Sequence, residues 1–175
     1  MSESTFIGRA AVLEGLPEHP AVKAILAWNP QALTDAKFDR NELTLTVEAG
    51  EIRSAARTVQ AAGYNFFEDM TAVDWFPSAP RFQLSYHILS HIYKERIRLR
   101  VLLEGENPSV ESIMPIWPAA NFYEREVFDL FGVRFDAHLN LCRILMPDDW
   151  QGHPLRKDYP VGGTADERAC RHARP

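Results

Sequence analysis

Alternation of apolar and polar residues predicts β-strands in the first two thirds of the chain. An apolar residue at every second position is typical of a strand that buries one face. The pattern occurs in residues 42–50, in 66–76 and twice within 81–105. The strand in 66–76 ends before Pro77, and the two strands of 81–105 are joined by a turn near residues 91–95.

Apolar residues spaced three and four apart predict three helices. The first covers residues 21–28 and ends at Asn29, which precedes a proline. The second covers residues 51–63, where Gly63 provides a C-terminal stop. The third covers residues 121–131.

These elements predict an α+β fold with two layers. A sheet of about four strands, antiparallel or mixed, is expected to be covered by helices on one face. We expect a core domain over residues 20–131 and an extended partner-docking arm over 132–163, where the periodicity is lost. The polar residues 164–175 are expected to form a disordered tail.

The third predicted helix carries several charged residues within a short aromatic run. Asn121 is expected to be its N-cap, with Glu124 completing a capping box. Arg125 and Asp129 are expected to form an i, i+4 ion pair, and Gly132 to end the helix. The apolar stripe that faces the core consists of Tyr123, Val127, Leu130 and Phe131.

The same charged run has a catalytic interpretation, in which Glu124, Glu126 or Asp129 serves a soluble hydrolase. A general acid of this kind needs a carboxyl group with a raised pKa. Arg125 is expected to neutralise its acidic neighbours instead, and Glu124 already has a structural role in the capping box. The pattern therefore favours a capped amphipathic helix over a catalytic site.

Composition excludes several other classes of protein. The 175 residues suit one domain, and a hydrophobic content of 46% supports a core. A formal net charge of −5 argues against nucleic acid as a partner. No apolar run approaches the ~18 residues of a membrane-spanning helix, and the N-terminus lacks a signal-peptide pattern. We therefore expect the chain to remain in the cytoplasm.

Motifs for cofactors and metals give no candidate site. The two cysteines, Cys142 and Cys170, cannot supply the four thiolates of an iron–sulfur cluster. His87 and His91 belong to a predicted strand, where their side chains would lie about 13 Å apart, too far to share a metal ion. A glycine-rich phosphate-binding loop is also lacking.

Arg96, Arg98 and Arg100 alternate with apolar residues in the last predicted strand, so they share one face of the sheet. Such a row is most often solvated or paired with acidic residues of neighbouring strands. Binding of an anion and docking against an acidic neighbouring protein are the alternatives.

The C-terminal part of the chain resembles a known family. The residues that carry the resemblance are Glu124-Arg125-Glu126, Asp129-Leu130-Phe131-Gly132, Phe135, Arg143-Ile144-Leu145 and Gly152-His153-Pro154-Leu155-Arg156-Lys157-Asp158-Tyr159-Pro160. They resemble the signature of the 30-kilodalton subunit family of proton-translocating NADH–quinone oxidoreductase, respiratory complex I, whose bacterial members are called C-type subunits. The resemblance spans residues 20–163. The sequence departs from the signature at Ala137 and Leu139, where the family has glycine and proline around the histidine.

The resemblance implies a structural and assembly subunit of the hydrophilic arm, without catalytic, cofactor-binding or metal-binding residues of its own. FMN and iron–sulfur clusters would belong to partner subunits, and quinone would be met only indirectly. The expected partners are the 49-kilodalton (D-type) subunit and the B-type and I-type subunits, with the chain peripheral on the cytoplasmic side of the inner membrane. An equivalent subunit of a membrane-bound hydrogenase or deazaflavin-linked dehydrogenase is the alternative.

The resemblance also suggests where partners would be contacted. The ten residues expected at the contact are Glu124, Arg125, Glu126, Asp129, Arg143, His153, Arg156, Lys157, Asp158 and Tyr159. Charges buried at such a contact are expected in pairs. The Arg156 guanidinium, with its rigid fork of donors, is expected to hold Asp158 and Tyr159 in an extended arm.

Overall fold

The structure, a computed structural model, describes residues 18–160, so the predicted tail 164–175 lies outside the described residues. The helices in this range are α1 (Pro20–Trp28), α2 (Ile52–Ala61) and α3 (Ala120–Phe131). The strands are β1 (Leu33–Asp39), β2 (Glu42–Val47), β3 (Phe66–Asp74), β4 (Phe82–Ser90), β5 (Glu95–Leu103), β6 (Ser109–Glu111) and β7 (Arg134–Asp136). A 3₁₀ turn, Ala49–Glu51, leads into α2.

The main sheet is mixed and has the strand order β1-β2-β5-β4-β3. Strands β2 and β5 are parallel, and the other neighbouring strands are antiparallel. Alternate residues of β4 and β5, from Phe82 to Leu103, are buried in one core together with the apolar faces of α1 and α2. The predicted α+β class is therefore confirmed.

Alternation does not predict β1, because a bulge between Leu33 and Asp35 shifts its register with β2. The bulge leaves Leu33 and Ala36, three positions apart, both buried, which hides the period of two. The main sheet consequently has five strands, where the pattern predicts about four.

The row of arginines on β5 is paired with residues on the other four strands of the main sheet, a cross-strand pairing expected for such a row. Arg96 bonds Glu68, Arg98 bonds Glu42 and the ring of His87, and Arg100 bonds Asp35 and Thr46. This cross-strand ladder covers the hydroxyl side chains of β2. Each of the three guanidinium groups has a carboxylate partner within the chain. Their positive charges are therefore balanced without a bound anion.

The two histidines of the excluded metal site have separate environments. His87 bonds Asp69 as well as Arg98, whereas His91 lies beyond the end of β4 beside Asn65 and the ring of Phe66. The two imidazoles therefore contact different residues of the protein and share no partner in the part of the chain that the structure describes.

A second, two-stranded sheet joins the C-terminal residues to the core. Strand β7 pairs in parallel with β6, and Phe135 and the preceding Val133 belong to the same buried cluster as the main sheet. Helix α3 packs along β3, where the Tyr123 hydroxyl donates to the Glu68 carbonyl at 3.0 Å. Val133 and Phe135 therefore pack in the core beyond residue 131, and the domain boundary expected there stays a prediction.

None of the three α-helices in residues 18–160 combines the length and the apolar character that a membrane crossing requires.

Helix α3 ends at Gly132, as predicted. Its φ of +79° is in the left-handed region, and its N–H donates to the Phe128 carbonyl at 2.9 Å. The ring of His153 packs against the side of Gly132 that a side chain would occupy, 2.6 Å from the place of a β-carbon. Glycine is thus required there both by the backbone and by this close approach.

Replacing Gly132 by alanine tests how firmly His153 is held against α3. Gly105 is the matched control, since its φ of +80° is similar and no atom lies within 4 Å of an added β-carbon. We expect Gly105→Ala to lower the free energy of unfolding by about 1–2 kcal/mol, and Gly132→Ala by about 1–3 kcal/mol more. Urea unfolding of the purified chain measures both. Equal losses would show that the ring moves aside freely.

Candidate functional site

Glu124 is turned into the protein, so the predicted capping box is wrong. Helix α3 has Ala119 at its N-cap, and no side chain caps it. The Glu124 carboxylate is fully buried and accepts hydrogen bonds from the Ser112 hydroxyl at 2.6 Å and the Ile113 N–H at 2.7 Å. Glu124 and Val127 lie on the same inner face of α3. This face meets the segment after β6, whose buried donors, Ser112 and Ile113, need an acceptor.

Burial raises the pKa of Glu124 to about 7, although the hydrogen bonds from Ser112 and Ile113 act against this rise. The ring of His138 lies alongside, its Nε2 atom 3.8 Å from the carboxylate, and desolvation lowers the pKa of this histidine. Arg125 therefore does not hold the neighbouring acid ionised, contrary to expectation. The group has a proton affinity suited to acid–base chemistry, but it is sealed from any substrate.

Arg125 and Asp129 do not form the predicted ion pair, because both reach toward the segment after β7. The Arg125 guanidinium donates to the carbonyls of Cys142 and Arg143, at 3.1 and 2.9 Å. The Asp129 carboxylate accepts from the Arg143 guanidinium at 2.6 Å and from three successive N–H groups, those of residues 144–146, at 2.8–3.0 Å. Residues 142–146 are thus clamped along α3.

Asp129 is fully buried in this clamp. Its burial acts to raise the pKa of the carboxyl group, but the hydrogen bonds from Arg143 and from residues 144–146 prevail and hold the pKa below its ordinary value. An ionised carboxylate with four donors is saturated and unavailable as a base. Its function is to fix the backbone of residues 143–146.

A second buried ionic cluster lies where β3 ends and β4 begins. Asp74 and Arg81 form a bidentate pair at 3.0–3.1 Å, and Arg81 also bonds Asp158 at 2.8 Å. The Lys157 N–H donates to Asp74 at 2.9 Å. Burial opposes ionisation of Asp74, yet the bonds from Arg81 and from backbone N–H groups lower its pKa to about 2. Residues 157 and 158 are therefore tied to the core.

Arg156 is satisfied within the chain. It pairs with Asp158 at 3.2 Å, as expected, donates to the Glu106 carbonyl at 2.9 Å and lies over the ring of Phe82. The Tyr159 hydroxyl donates to the carbonyl of residue 151 at 3.2 Å. We call residues 139–160, held by these two clusters, the outer segment.

The ten residues expected at a partner contact divide into three groups. Glu124 and Asp129 are fully buried, and their carboxylates bond to the chain's own segments. Those that are partly buried are Arg125, Arg143, His153, Arg156 and Tyr159. Those that are exposed are Glu126, Lys157 and Asp158. Contact of these residues with a partner stays a prediction.

Large apolar side chains that are absent from the ten expected contact residues are also exposed. Leu139 is 87% exposed, and Phe122, Leu145 and Leu155 are each more than half exposed. We define the docking face as Phe122, Leu139, Ile144, Leu145 and Leu155. For the four residues outside α3, the signal in the sequence is the placement of apolar residues in a segment without periodicity, where no sheet or helix face needs them.

Within residues 18–160, no group of three or more histidine, cysteine, aspartate or glutamate side chains is arranged to hold a metal ion. What this region offers chemically is a preformed apolar surface on an ionic support. Such an arrangement suits binding to another protein.

Comparison with known proteins identifies sequences similar to this chain. A family described as "Respiratory-chain NADH dehydrogenase, 30 Kd subunit" matches residues 45–165. The C-type subunit of the NADH-quinone oxidoreductase of Roseiflexus castenholzii is 44% identical over 149 residues, which cover 83% of this chain and 86% of the relative. That of Citrifermentans bemidjiense is 44% identical over 137 residues, covering 78% of this chain and 85% of the relative.

Two solved structures have a similar fold. A trypsin-resistant fragment of Nqo5 aligns with a TM-score of 0.59 and 26% identity, covering 74% of this chain and 98% of the fragment. A chain of the membrane-bound sulfane sulfur reductase, an archaeal respiratory membrane complex, aligns with a TM-score of 0.71 and 27% identity, covering 87% of this chain and 88% of that chain.

The buried carboxyl group of Glu124 should make stability depend on pH. Its folded-state pKa of about 7 lies above the ordinary value of 4.5, so its stabilising contribution is complete below pH 4.5 and is lost as the pH rises through 7. Glu124→Gln keeps an acceptor for Ile113 and removes the titration. Relative to this variant, the wild-type free energy of unfolding should fall by up to about 3 kcal/mol between about pH 5 and pH 8.

Urea unfolding at several pH values measures this difference. Glu126→Gln, which removes a carboxylate from the exposed side of the same helix, is the control and should follow the wild type at every pH. Parallel curves for the wild type and Glu124→Gln would show that the buried group stays ionised across this range.

Proposed function

Since the chain belongs to the respiratory-chain NADH dehydrogenase 30 Kd subunit family, we propose that it is a structural and assembly subunit in the hydrophilic arm of an NADH–quinone oxidoreductase, and that it does no chemistry itself. In this proposal its task is to hold neighbouring subunits together through the docking face. Electron transfer from NADH to quinone would take place on other subunits.

The observation that carries the proposal is the exposure of leucines on a rigidly held segment. Leu145 lies within the turn that Asp129 fixes, and Leu155 lies between the two ionic clusters, its N–H bonded to the Leu130 carbonyl at 3.0 Å. The exposed apolar area of these leucines does not stabilise the fold. Covering it with a partner would stabilise the complex by ~25 cal/mol for each Å² buried. A backbone already fixed in place lowers the entropic cost of docking.

The partners and location proposed are those of the family resemblance. The 49-kilodalton (D-type) subunit, with the B-type and I-type subunits, would cover the outer segment, and the chain would lie peripherally on the cytoplasmic side of the inner membrane. FMN and iron–sulfur clusters would reside on other subunits. The two cysteines support this division, since they are too few to ligate a cluster alone.

A second candidate is the equivalent subunit of a different membrane-bound respiratory enzyme, such as a hydrogenase or a deazaflavin-linked dehydrogenase. The structural similarity to a chain of the sulfane sulfur reductase complex supports it. The higher sequence identity to the relatives from NADH-quinone oxidoreductases favours the NADH enzyme. Genes for an NADH-binding, flavin-carrying module beside this one would decide between the two.

Polar substitution of the docking face should impair assembly without unfolding the chain. We expect Leu139→Ser/Leu145→Ser to change the unfolding free energy of the purified chain by less than about 0.5 kcal/mol. Loss of two apolar contacts should reduce the assembled complex in membranes at least about tenfold. Native gels and NADH oxidation by membranes measure this in a strain lacking the wild-type gene.

Ile92→Ser is the matched control, because Ile92 is 68% exposed but lies in the turn between β4 and β5. It should assemble normally. Normal assembly of the double serine variant as well would show that the docking face has no partner.

The proposed lack of cofactors has a direct test. The chain purified alone should contain less than about 0.1 iron atom per molecule and no flavin absorbance, because its thiols cannot complete a cluster. Elemental analysis and a visible spectrum measure both. Stoichiometric iron with a cluster spectrum would refute this part of the proposal.

A further inference from the structure

The docking face is bordered by carboxylates that have no ion-pair partner in residues 18–160. They are Glu126, Asp148 and Asp149, all of them exposed. We infer that the partner surface covering the docking face is apolar at its centre and rich in lysine or arginine at its rim. The inference rests on the proposed function, which it extends by specifying the chemistry of the partner.

Glu126 is placed at this border by the geometry of α3. It follows Phe122 by one helical turn, so both side chains project from the same exposed side of the helix. Arg125 and Asp129 lie next to that side and bind the backbone of residues 142–146. Glu126 and Phe122 therefore adjoin the part of the outer segment that carries Leu145.

Asp148 and Asp149 are placed at the border by a turn. Asp129 fixes the backbone through residue 146, and the Trp150 N–H then closes a turn by donating to the Pro147 carbonyl at 3.0 Å. The two aspartates occupy the centre of this turn. Both exposed residues thus follow Leu145 by three and four positions, on a backbone that these bonds hold in place.

Most cations near the docking face are engaged within the chain. The Arg143 guanidinium is neutralised by Asp129, and the Arg125 guanidinium donates to two carbonyls of the outer segment. The exposed Lys157 lies at the other end of the outer segment, where its N–H bonds Asp74. Among the described residues, the exposed Arg134 and Asp136 have no side-chain partner and cancel each other, so three free carboxylates against the charge of Arg125 leave a net charge of about −2.

These carboxylates contrast with those of Glu124, Asp129 and Asp158, which are paired or hydrogen-bonded. An apolar partner that covered Leu145 would also strip water from the carboxylates at its edge, which is unfavourable unless cations replace the water. A basic rim supplies them, fixes the register of docking and speeds the encounter. Charge complementarity therefore selects a basic partner surface over a second copy of this acidic face.

The test uses the full chain in a strain lacking the wild-type gene. Neutralisation of the border, Glu126→Gln/Asp148→Asn/Asp149→Asn, is compared with a matched control, Glu48→Gln/Glu51→Gln/Glu104→Gln, which has the same change in charge away from α3 and the outer segment. Washed membranes are exposed to rising KCl, from about 0.05 M to about 0.5 M, and the fraction of chain retained in the complex is measured.

Wild type and control should be released progressively as salt rises. The border variant should assemble about tenfold less well at low salt, with retention that hardly depends on salt. Reversal of the three charges to lysine should reduce assembly further. Melting of each purified chain verifies folding.

Two outcomes separate the inference from the proposed function. If the border variant matches the wild type at every salt concentration, or assembles better, the partner rim is not basic and the inference is wrong, while loss of assembly in Leu139→Ser/Leu145→Ser would still support docking. If those serine substitutions have no effect, the proposed function itself fails.

Discussion

The buried carboxylate of Asp129 is the group on which the outer segment depends. An ionised group removed from water is unfavourable by several kcal/mol unless donors surround it. Arg143 and three consecutive backbone N–H groups supply those donors, and they come from a stretch without regular secondary structure. The carboxylate and the stretch therefore stabilise each other.

The cluster of Asp74, Arg81 and Asp158 repeats this arrangement at the other end of the outer segment. Between the two clusters, the chain is fixed by charge and backbone bonding, while its leucines remain at the surface. In this part of the fold, polar groups are buried and hold the segment, while apolar groups lie at the surface. In an independent globular protein the usual distribution is the opposite.

Local pattern predicted most of the sheet and all three helices, because alternation and helical spacing reflect which face each element buries. It did not predict β1, whose bulge breaks the period, or β6 and β7, which have three residues each. At α3 the pattern selected the right residues but the wrong partners. Glu124 bonds Ser112, and Asp129 bonds Arg143. Patterns within one helical turn do not predict contacts between residues so far apart in the sequence. The signature motif identifies α3 and the outer segment, but their hydrogen-bond partners are visible only in the tertiary structure.

The single parallel pairing in the main sheet has a consequence for how the chain folds. Strands β1 and β2 form one hairpin, and β3, β4 and β5 form one meander, both from residues close in sequence. In the sheet, the two units pair where Leu43 to Thr46 align with Ile97 to Arg100. That pairing closes a long loop, so its entropic cost is larger than that of the pairings within the hairpin or the meander. The hairpin and the meander are accordingly the natural early units, and their union completes the core.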